Sequence, residues 1–235
     1  MFPKDELNYK ISQVVHSVHH SVSNITNKEI SEYSTLFREV GFIQIPSMIN
    51  SEALEGLFIF IIENAKKYFV SYQGKEREYF DRTISGHKFK RLFFEPQTEY
   101  DIATLEHDEN WKILSTEMQM ASSKLSEIIK PIMEDLAVNF KYNFGSIFYY
   151  GNEDFIGLHH DAHYCEMINA QFPLSINTKG CIRIKYKDQL RPYYDFPGCL
   201  NILDSKTWHD VPIILKMSNE NNATRMNLSL RYMTE

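Results

Sequence analysis

The first third of the chain carries its apolar residues at helical spacing. Between residues 6 and 22 they recur every three or four positions, which predicts an amphipathic helix. A second helix is predicted over 27–40, because Thr26 and Glu29 have the spacing of a capping box and Gly41 follows the last turn.

The prediction for the rest of the first half is one short strand and two more helices. The strand is predicted at 42–46 and the helices at 51–69 and 111–136, where Pro131 is expected to kink or divide the second of them. The apolar run at 57–62 is too short to cross a bilayer, so no membrane span is expected.

From residue 139 onward the pattern changes to short apolar or alternating runs between turn signals. Strands are predicted at 145–150, 155–158, 181–186, 199–203, 211–217 and 225–232. Strands at this spacing favour a sandwich or barrel. We therefore expect an α+β fold in a single domain, 1–235, with 1–138 mainly helical and 139–235 forming a β core that carries the site.

Composition narrows the range of functions. The 235 residues have a formal net charge of -6, which argues against a nucleic-acid partner. The three cysteines, Cys165, Cys181 and Cys199, lack CxxC spacing, which argues against a disulfide framework or a structural zinc site. With no signal-peptide pattern at the N-terminus, a cytoplasmic location is expected, and the oligomeric state is left open.

Candidate chemistry begins with the triplet His159-His160-Asp161. In a strand, His159 and Asp161 point to the same face about 6.6 Å apart, so an imidazole and a carboxylate can share one metal. His209 is the best third ligand, because it precedes a predicted strand. Two histidines and one carboxylate leave coordination positions open, as in oxygen-activating non-haem Fe(II) sites.

Other histidines compete with this choice. His107 and Glu109 form an H-x-E triplet in a charged stretch with no predicted strand, and His16 and His20 lie one helical turn apart with no third ligand nearby. His163 lies on the predicted face of Asp161, as a substrate-contacting or ligand-supporting residue. His160 falls on the opposite face and is predicted to pack or to meet solvent.

The last predicted strand has one polar face. Its residues alternate, so that Arg225, Asn227, Ser229 and Arg231 share a face that suits the inner wall of a barrel holding a charged ligand. Arg225 and Arg231 are about 20 Å apart along the strand, so both cannot bind one carboxylate.

Several blocks of the sequence resemble the Fe(II)/2-oxoglutarate dioxygenase superfamily. The similarity runs through 149–161, which approaches the H-x-D triplet, through 172–184, through 197–211 around His209, and through 225–230. Residues 34–45 resemble the phytanoyl-CoA hydroxylase branch, and the spacing around His209 resembles hydroxylases of free amino acids. The resemblance implies a double-stranded β-helix, the jelly-roll core of cupins, with the N-terminal helices packed on it.

The resemblance also implies a set of roles. Fe(II) would be held by His159, Asp161 and His209, and the co-substrate 2-oxoglutarate by Arg225 at the start of the last strand, with Asn227 and Ser229 beside it. The gap from His209 to Arg225 is long, so Arg231 is the alternative for the co-substrate carboxylate or a substrate contact. Tyr150 either hydrogen-bonds the co-substrate or is an ordinary core tyrosine.

The expected activity is hydroxylation of an unactivated C–H bond in a small metabolite such as a free amino acid, with O₂ consumed and succinate and CO₂ released. Asp161 favours hydroxylation over halogenation, while desaturation and cyclisation stay open. The alternatives are a non-catalytic, cupin-like metal-binding protein, a zinc hydrolase that uses the same ligands, and a dioxygenase acting on a protein side chain.

Overall fold

The computed structural model describes residues 2–74, 86–94, 105, 107–136, 139–162, 166–174, 181–212, 214 and 224–234. Within these residues the elements follow the order α1 (Lys4–Ser23), α2 (Asn27–Val40), β1 (Phe42–Ile45), α3 (Ser51–Asn64), a 3-10 turn (Lys66–Tyr68), β2 (Val70–Gly74), β3 (His87–Phe93), α4 (Glu109–Leu136), β4 (Phe140–Tyr150), β5 (Phe155–His159), β6 (Met167–Pro173), β7 (Cys181–Tyr186), β8 (Gln189–Tyr194), β9 (Leu200–Asp204), β10 (His209–Val211) and β11 (Arg225–Thr234).

The predicted ends of α2 are confirmed. The Thr26 hydroxyl accepts from the Glu29 backbone N–H, and the Glu29 carboxylate accepts from the Thr26 N–H at 2.8 Å. At the other end Gly41 adopts φ 73°, and its N–H donates to the Phe37 carbonyl at 2.7 Å. These two caps satisfy backbone groups that the helix itself leaves unpaired.

Two of the predicted helices differ from the structure in detail. Helix α3 ends at Asn64, and a 3-10 turn replaces the last turns of the helix predicted to reach residue 69. Helix α4 runs without division through Pro131. Proline removes one backbone donor, but Ile129, Ile132 and Met133 beside it are buried, so tertiary packing holds the helix together.

Eleven strands in the described part of the chain form one curled sheet. Its order is β1-β9-β6-β11-β4-β3-β5-β10-β7-β8, and β2 pairs with β3. Neighbouring strands run antiparallel, and β3 pairs with both β4 and β5. The predicted fold class is confirmed: a mixed α and β chain with a jelly-roll core and helices packed on it.

Several strands were not predicted from the sequence, or begin and end at other residues than predicted. Strands β2, β3, β6 and β8 were not predicted, and β4 begins at Phe140, five residues before its predicted start. The strand predicted at 211–217 is β10, which begins at His209 and ends at Val211. Residues 213 and 215–217 of that prediction lie outside the described residues.

The two faces of the sheet have different environments. On β11, Met226, Leu228 and Leu230 lie in the main hydrophobic cluster with side chains of α1, α3 and α4. Arg225 and Arg231, on the opposite face, line an internal cavity. The predicted alternation of this strand is therefore confirmed, with helices covering the outer face of the sheet and the cavity lying inside its curl.

Two expectations from composition can be compared with the described residues. No helix in this part of the chain is long and apolar enough to cross a membrane. Cys181 and Cys199 are buried free thiols, and Cys165 lies outside the described residues.

Replacing Gly41 with alanine tests the cap of α2. A Cβ at this position would lie 2.0 Å from the Thr207 Oγ1 atom, and φ 73° is unfavourable for an L side chain. We expect Gly41→Ala to lower the free energy of unfolding by about 1–2 kcal/mol, measured by urea denaturation.

The matched control is Gly151→Ala. A Cβ at this position would meet its nearest neighbour at 3.5 Å, and the φ of Gly151 is not positive. Equal losses of stability in the two variants would contradict the explanation.

Candidate metal centre

A cavity of about 370 Å³ lies inside the curl of the sheet. This volume falls in the range of small-molecule sites. Its walls are contributed by seven strands and the segment after β5, and are lined by His87, Phe89, Arg91, Phe148, Tyr150, Ile156, His159, His160, Asp161, Met167, Asn169, Gln171, Ile182, His209, Val211, Arg225, Asn227 and Arg231.

Strand pairing brings the two predicted histidine ligands together. His209, the first residue of β10, is the direct antiparallel partner of His159, the last residue of β5. Side chains of such a pair lie on the same face of the sheet. The imidazole centroids are accordingly 4.3 Å apart.

Asp161 reaches the same point from outside the strand. β5 ends at His159, so the expectation that Asp161 continues the strand is wrong. Instead the Asp161 N–H donates to the Ser205 carbonyl at 2.8 Å, which fixes the segment after β5 against the end of β9. The ligand atoms of His159, Asp161 and His209 all lie within 4.8 Å of one another.

Both imidazoles are oriented by backbone carbonyls. His159 Nδ1 lies 2.7 Å from the Gly157 oxygen, and His209 Nδ1 lies 2.9 Å from the Thr207 oxygen. A carbonyl oxygen only accepts, so each Nδ1 carries a proton and each Nε2 of a neutral ring keeps its lone pair for a cation. His159 Nε2 lies 3.5 Å from Asp161 Oδ1.

The protonation states also suit a cation. Burial and the neighbouring His159 lower the pKa of His209 to about 4, so this ring is neutral at pH 7. Burial opposes ionisation of Asp161, but its hydrogen bond with His159 and nearby positive charges lower its pKa well below the usual value. Metal binding requires neutral imidazoles, as His209 provides, and an ionised carboxylate.

The same carboxylate acts on His159. Burial opposes protonation of this ring, but the hydrogen bond and charge of Asp161 raise its pKa above the usual value. The site therefore stabilises positive charge beside Asp161. This is an environment that fits a divalent metal ion.

Asn169 holds the Asp161 carboxylate in place. The Asn169 Nδ2 atom donates to Asp161 Oδ2 at 2.9 Å. The other carboxylate oxygen, Asp161 Oδ1, faces His159. Asn169 is buried on β6, a strand absent from the sequence prediction. Partners of this kind orient ligand carboxylates in metal sites, and the sequence offered no signal for it.

Arg225 is a fully buried cation with a buried partner that sequence reasoning missed. Its Nε and Nη2 donate to the two carboxylate oxygens of Asp195, the second at 3.2 Å. With the amide oxygen of Asn227 turned toward the guanidinium, Asn227 accepts from Nη1 and Nη2 at 3.0 and 2.9 Å. These contacts fix the position of the guanidinium and neutralise its charge.

Of the other residues predicted around Arg225, Tyr150 and Asn227 contact it, whereas Ser229 is not among the residues that line the cavity. Tyr150 is its cross-strand partner, with the guanidinium carbon 5.1 Å from the ring centroid. Burial raises the pKa of Tyr150 to about 12, so its hydroxyl stays a donor at pH 7. Ser229 is fully buried, and its hydroxyl has no hydrogen-bond partner in the described part of the protein.

The other histidines considered as ligands are exposed, pack against other side chains or lie outside the described residues. His107 is exposed just before α4, and His16 and His20 are exposed on α1. His160 packs edge-on against Trp208, with centroids 4.7 Å apart, and also lines the cavity. His163 lies outside the described residues.

The sequence matches no model of a known protein family and no curated protein. Solved structures do match. A Pseudomonas putida prolyl-4-hydroxylase aligns over 88% of this chain and 99% of its own, with a TM-score of 0.59 and 12% identity. A 2OG-Fe(II) oxygenase family member from Burkholderia pseudomallei covers 89% of this chain and 93% of its own, with a TM-score of 0.56 and 12% identity.

A third match comes from nogalamycin biosynthesis. The non-haem α-ketoglutarate-dependent epimerase SnoN covers 89% of this chain and 84% of its own, with a TM-score of 0.58 and 13% identity. This chain has the fold of the 2-oxoglutarate- and Fe(II)-dependent oxygenases. At such low identity the similarity extends to the fold and does not reach a particular branch.

The buried pair of Arg225 and Asp195 gives a stability prediction. Asp195→Ala leaves a guanidinium buried without its counter-charge, so we expect the free energy of unfolding to fall by about 3–5 kcal/mol, measured in urea. Both side chains are at most 2% exposed.

The matched control is Glu134→Ala, which breaks the exposed pair with Lys130. It should change the unfolding free energy by less than about 0.5 kcal/mol. If Asp195→Ala lowered the free energy of unfolding by no more than Glu134→Ala does, the buried pair would not contribute the predicted stability.

Proposed function

We propose that this protein is an Fe(II)- and 2-oxoglutarate-dependent oxygenase that hydroxylates an unactivated C–H bond of a small molecule. The observation that carries the proposal is the convergence of His159, Asp161 and His209 in a cavity of the jelly-roll core. Three protein ligands of this type leave coordination positions for a co-substrate and O₂.

The metal ligands proposed are His159 Nε2, Asp161 Oδ1 and His209 Nε2. When bound, Fe(II) with 2-oxoglutarate and O₂ supplies oxidising power that no side chain has, and the co-substrate leaves as succinate and CO₂. The chain's part is to hold the ligands. The carbonyls of Gly157 and Thr207 orient the two rings, and Asn169 orients the carboxylate.

We assign the distal carboxylate of 2-oxoglutarate to Arg225 and Tyr150. Arg225 has five N–H donors, and Asp195 with Asn227 leaves one Nη1 hydrogen for a ligand. The Tyr150 hydroxyl supplies a second donor. Asp195 holds the Arg225 guanidinium in one orientation, which favours directional hydrogen bonding to a ligand. The negative charge of Asp195 also weakens the attraction between Arg225 and the carboxylate of 2-oxoglutarate.

A small substrate is favoured by the cavity volume of about 370 Å³ and by its apolar walls, including Phe89, Phe148 and Val211. A free amino acid remains the proposed example. A prolyl or other protein side chain is the second candidate, because one structural neighbour is a prolyl-4-hydroxylase. The absence of a nucleic-acid partner and a cytoplasmic location remain predictions from composition.

Catalysis separates this proposal from a non-catalytic metal-binding protein and from a zinc hydrolase. Neither rival needs an arginine beside the metal cavity or a supply of 2-oxoglutarate. Both would retain metal affinity in the purified protein, so turnover of the co-substrate is the deciding measurement.

Replacing Asp161 tests the metal centre. The wild-type protein should bind Fe(II) and 2-oxoglutarate without oxygen and release succinate when oxygen is added. We expect Asp161→Ala to lose at least about 100-fold in succinate formation, because the only charged protein ligand is gone.

The matched control is His107→Ala, at the exposed H-x-E triplet, which should keep wild-type turnover. Metal binding without any succinate from the wild-type protein, across a broad metabolite library, would favour the non-catalytic alternative. Failure to bind Fe(II) would remove the proposal altogether.

The two strand arginines can be compared by their effect on co-substrate affinity. We expect Arg225→Gln to raise the dissociation constant of 2-oxoglutarate by at least about tenfold, as one charge-assisted hydrogen bond is lost. Isothermal titration with the Fe(II) protein under argon gives this constant. A larger loss in Arg231→Gln would move the distal carboxylate to Arg231.

A further inference from the structure

Two arginines in the cavity wall have no carboxylate partner among the described residues. They are Arg91 on β3 and Arg231 near the end of β11. Their guanidinium carbons lie 5.8 and 5.5 Å from the same phenyl ring, that of Phe144. Arg225, by contrast, is neutralised by Asp195.

Arg91 is buried, and most of its donors have no acceptor in the part of the chain that the structure describes. Its Nε and Nη2 both donate to the Ser146 hydroxyl, at 3.1 and 2.9 Å. Phenyl rings of Phe93 and Phe148 lie 4.2 and 4.5 Å from its guanidinium carbon. Burial and the like charge of Arg231 lower the pKa of Arg91 below its usual value, so the cavity wall by itself disfavours this cation.

Arg231 is partly buried, and its Nε atom is inaccessible to solvent without a hydrogen-bond partner among the described residues. Its strand neighbour across the sheet is Asn169, the residue that holds Asp161. Buried donors of this kind are normally satisfied. An acceptor from a ligand beside the metal centre would satisfy it.

The charges in the cavity indicate what that ligand carries. Fe(II) contributes two positive charges, Asp161 removes one, and 2-oxoglutarate removes two. Arg225 and Asp195 cancel, and the histidine ligands are neutral. Arg91 and Arg231 then leave the described residues of the site, with the metal and co-substrate, with one positive charge, which a monoanion would balance.

We propose that Arg91 and Arg231 bind the carboxylate of the primary substrate, which is therefore a carboxylic acid with an apolar body. This inference rests on the proposed function, because it places the substrate beside a metal already bound to 2-oxoglutarate. Two guanidinium groups provide the forked donors that a carboxylate accepts. Phe89, Ile156 and Val211 line the same cavity and suit a hydrocarbon chain or ring.

A phosphate monoester is the other anion that arginines commonly bind. It carries about 1.5 to 2 negative charges at pH 7, which exceeds the single charge left over in the site. The carboxylate is therefore the better match, and a phosphate ester with the same hydrocarbon chain serves as the comparison.

The experiment uses the Fe(II) protein saturated with 2-oxoglutarate under argon, with binding measured by titration calorimetry. The probes are hexanoate, 3-phenylpropanoate and L-leucine, each with its primary amide, and hexyl phosphate. We expect at least one acid to bind about tenfold or more tightly than its amide, since the amide loses a charge-assisted contact. Hexyl phosphate should bind more weakly than hexanoate.

In Arg91→Gln and in Arg231→Gln, the dissociation constants of the acid and of its amide should differ by no more than about threefold. The affinity for 2-oxoglutarate should stay within about threefold of wild type. Arg191→Gln, an exposed arginine on β8, is the matched control and should keep the preference. Arg91→Lys and Arg231→Lys keep the charge and test the site if a glutamine variant fails to fold.

Three results would overturn the inference. One is the absence of any preference for acid over amide in the wild-type protein, and another is tighter binding of hexyl phosphate than of hexanoate. The third is loss of 2-oxoglutarate affinity in Arg231→Gln, which would make the pair a co-substrate site. Each leaves Fe(II) and 2-oxoglutarate binding by the wild type intact, whereas failure of the proposed function abolishes that binding.

Discussion

The site depends on the register of one pair of strands. His159 and His209 are direct partners across β5 and β10, and β10 is held on its other side by β7. Because side chains alternate along a strand, a slip of one residue would turn His209 away from the cavity and leave Asp161 with one imidazole. The backbone ladder therefore does much of the positioning that the metal ligands need.

The electrostatics of the cavity follow from where charges are paired. Asp195 and Asn227 use up most of the donors of Arg225, so this cation is a fixed part of the wall. Arg91 and Arg231 lie on the same inner face, and neither forms an ion pair with a carboxylate of the described residues, although the charge of Asp161 acts on both. Under the proposed assignment, a wall with one neutralised arginine and two unpaired ones distinguishes ligands by charge as well as by shape.

The sequence predicted the parts that short-range patterns encode. The capping box at Thr26 and the alternation of β11 depend on neighbouring residues, and both match the structure. Strands β3 and β6 were not predicted because neither segment shows a clear alternation of apolar and polar residues. Their position in the sheet depends on pairing with strands that are distant in sequence. Arg91, Asn169 and Asp195 were missed for the same reason, since a lone polar residue gains its role only when another strand lies against it.

Strand pairing also has a consequence for the order of folding. β1 pairs with β9, joining Phe42 to Leu203, and β11, the last of the described strands, lies between β4 and β6. Such distant contacts are slow to form, whereas the backbone hydrogen bonds within the N-terminal helices are local. During synthesis the cavity cannot close until β11 has left the ribosome. Until then the apolar face of the helices is not covered by the sheet, and exposed apolar surface of this kind makes a partly folded chain prone to aggregation.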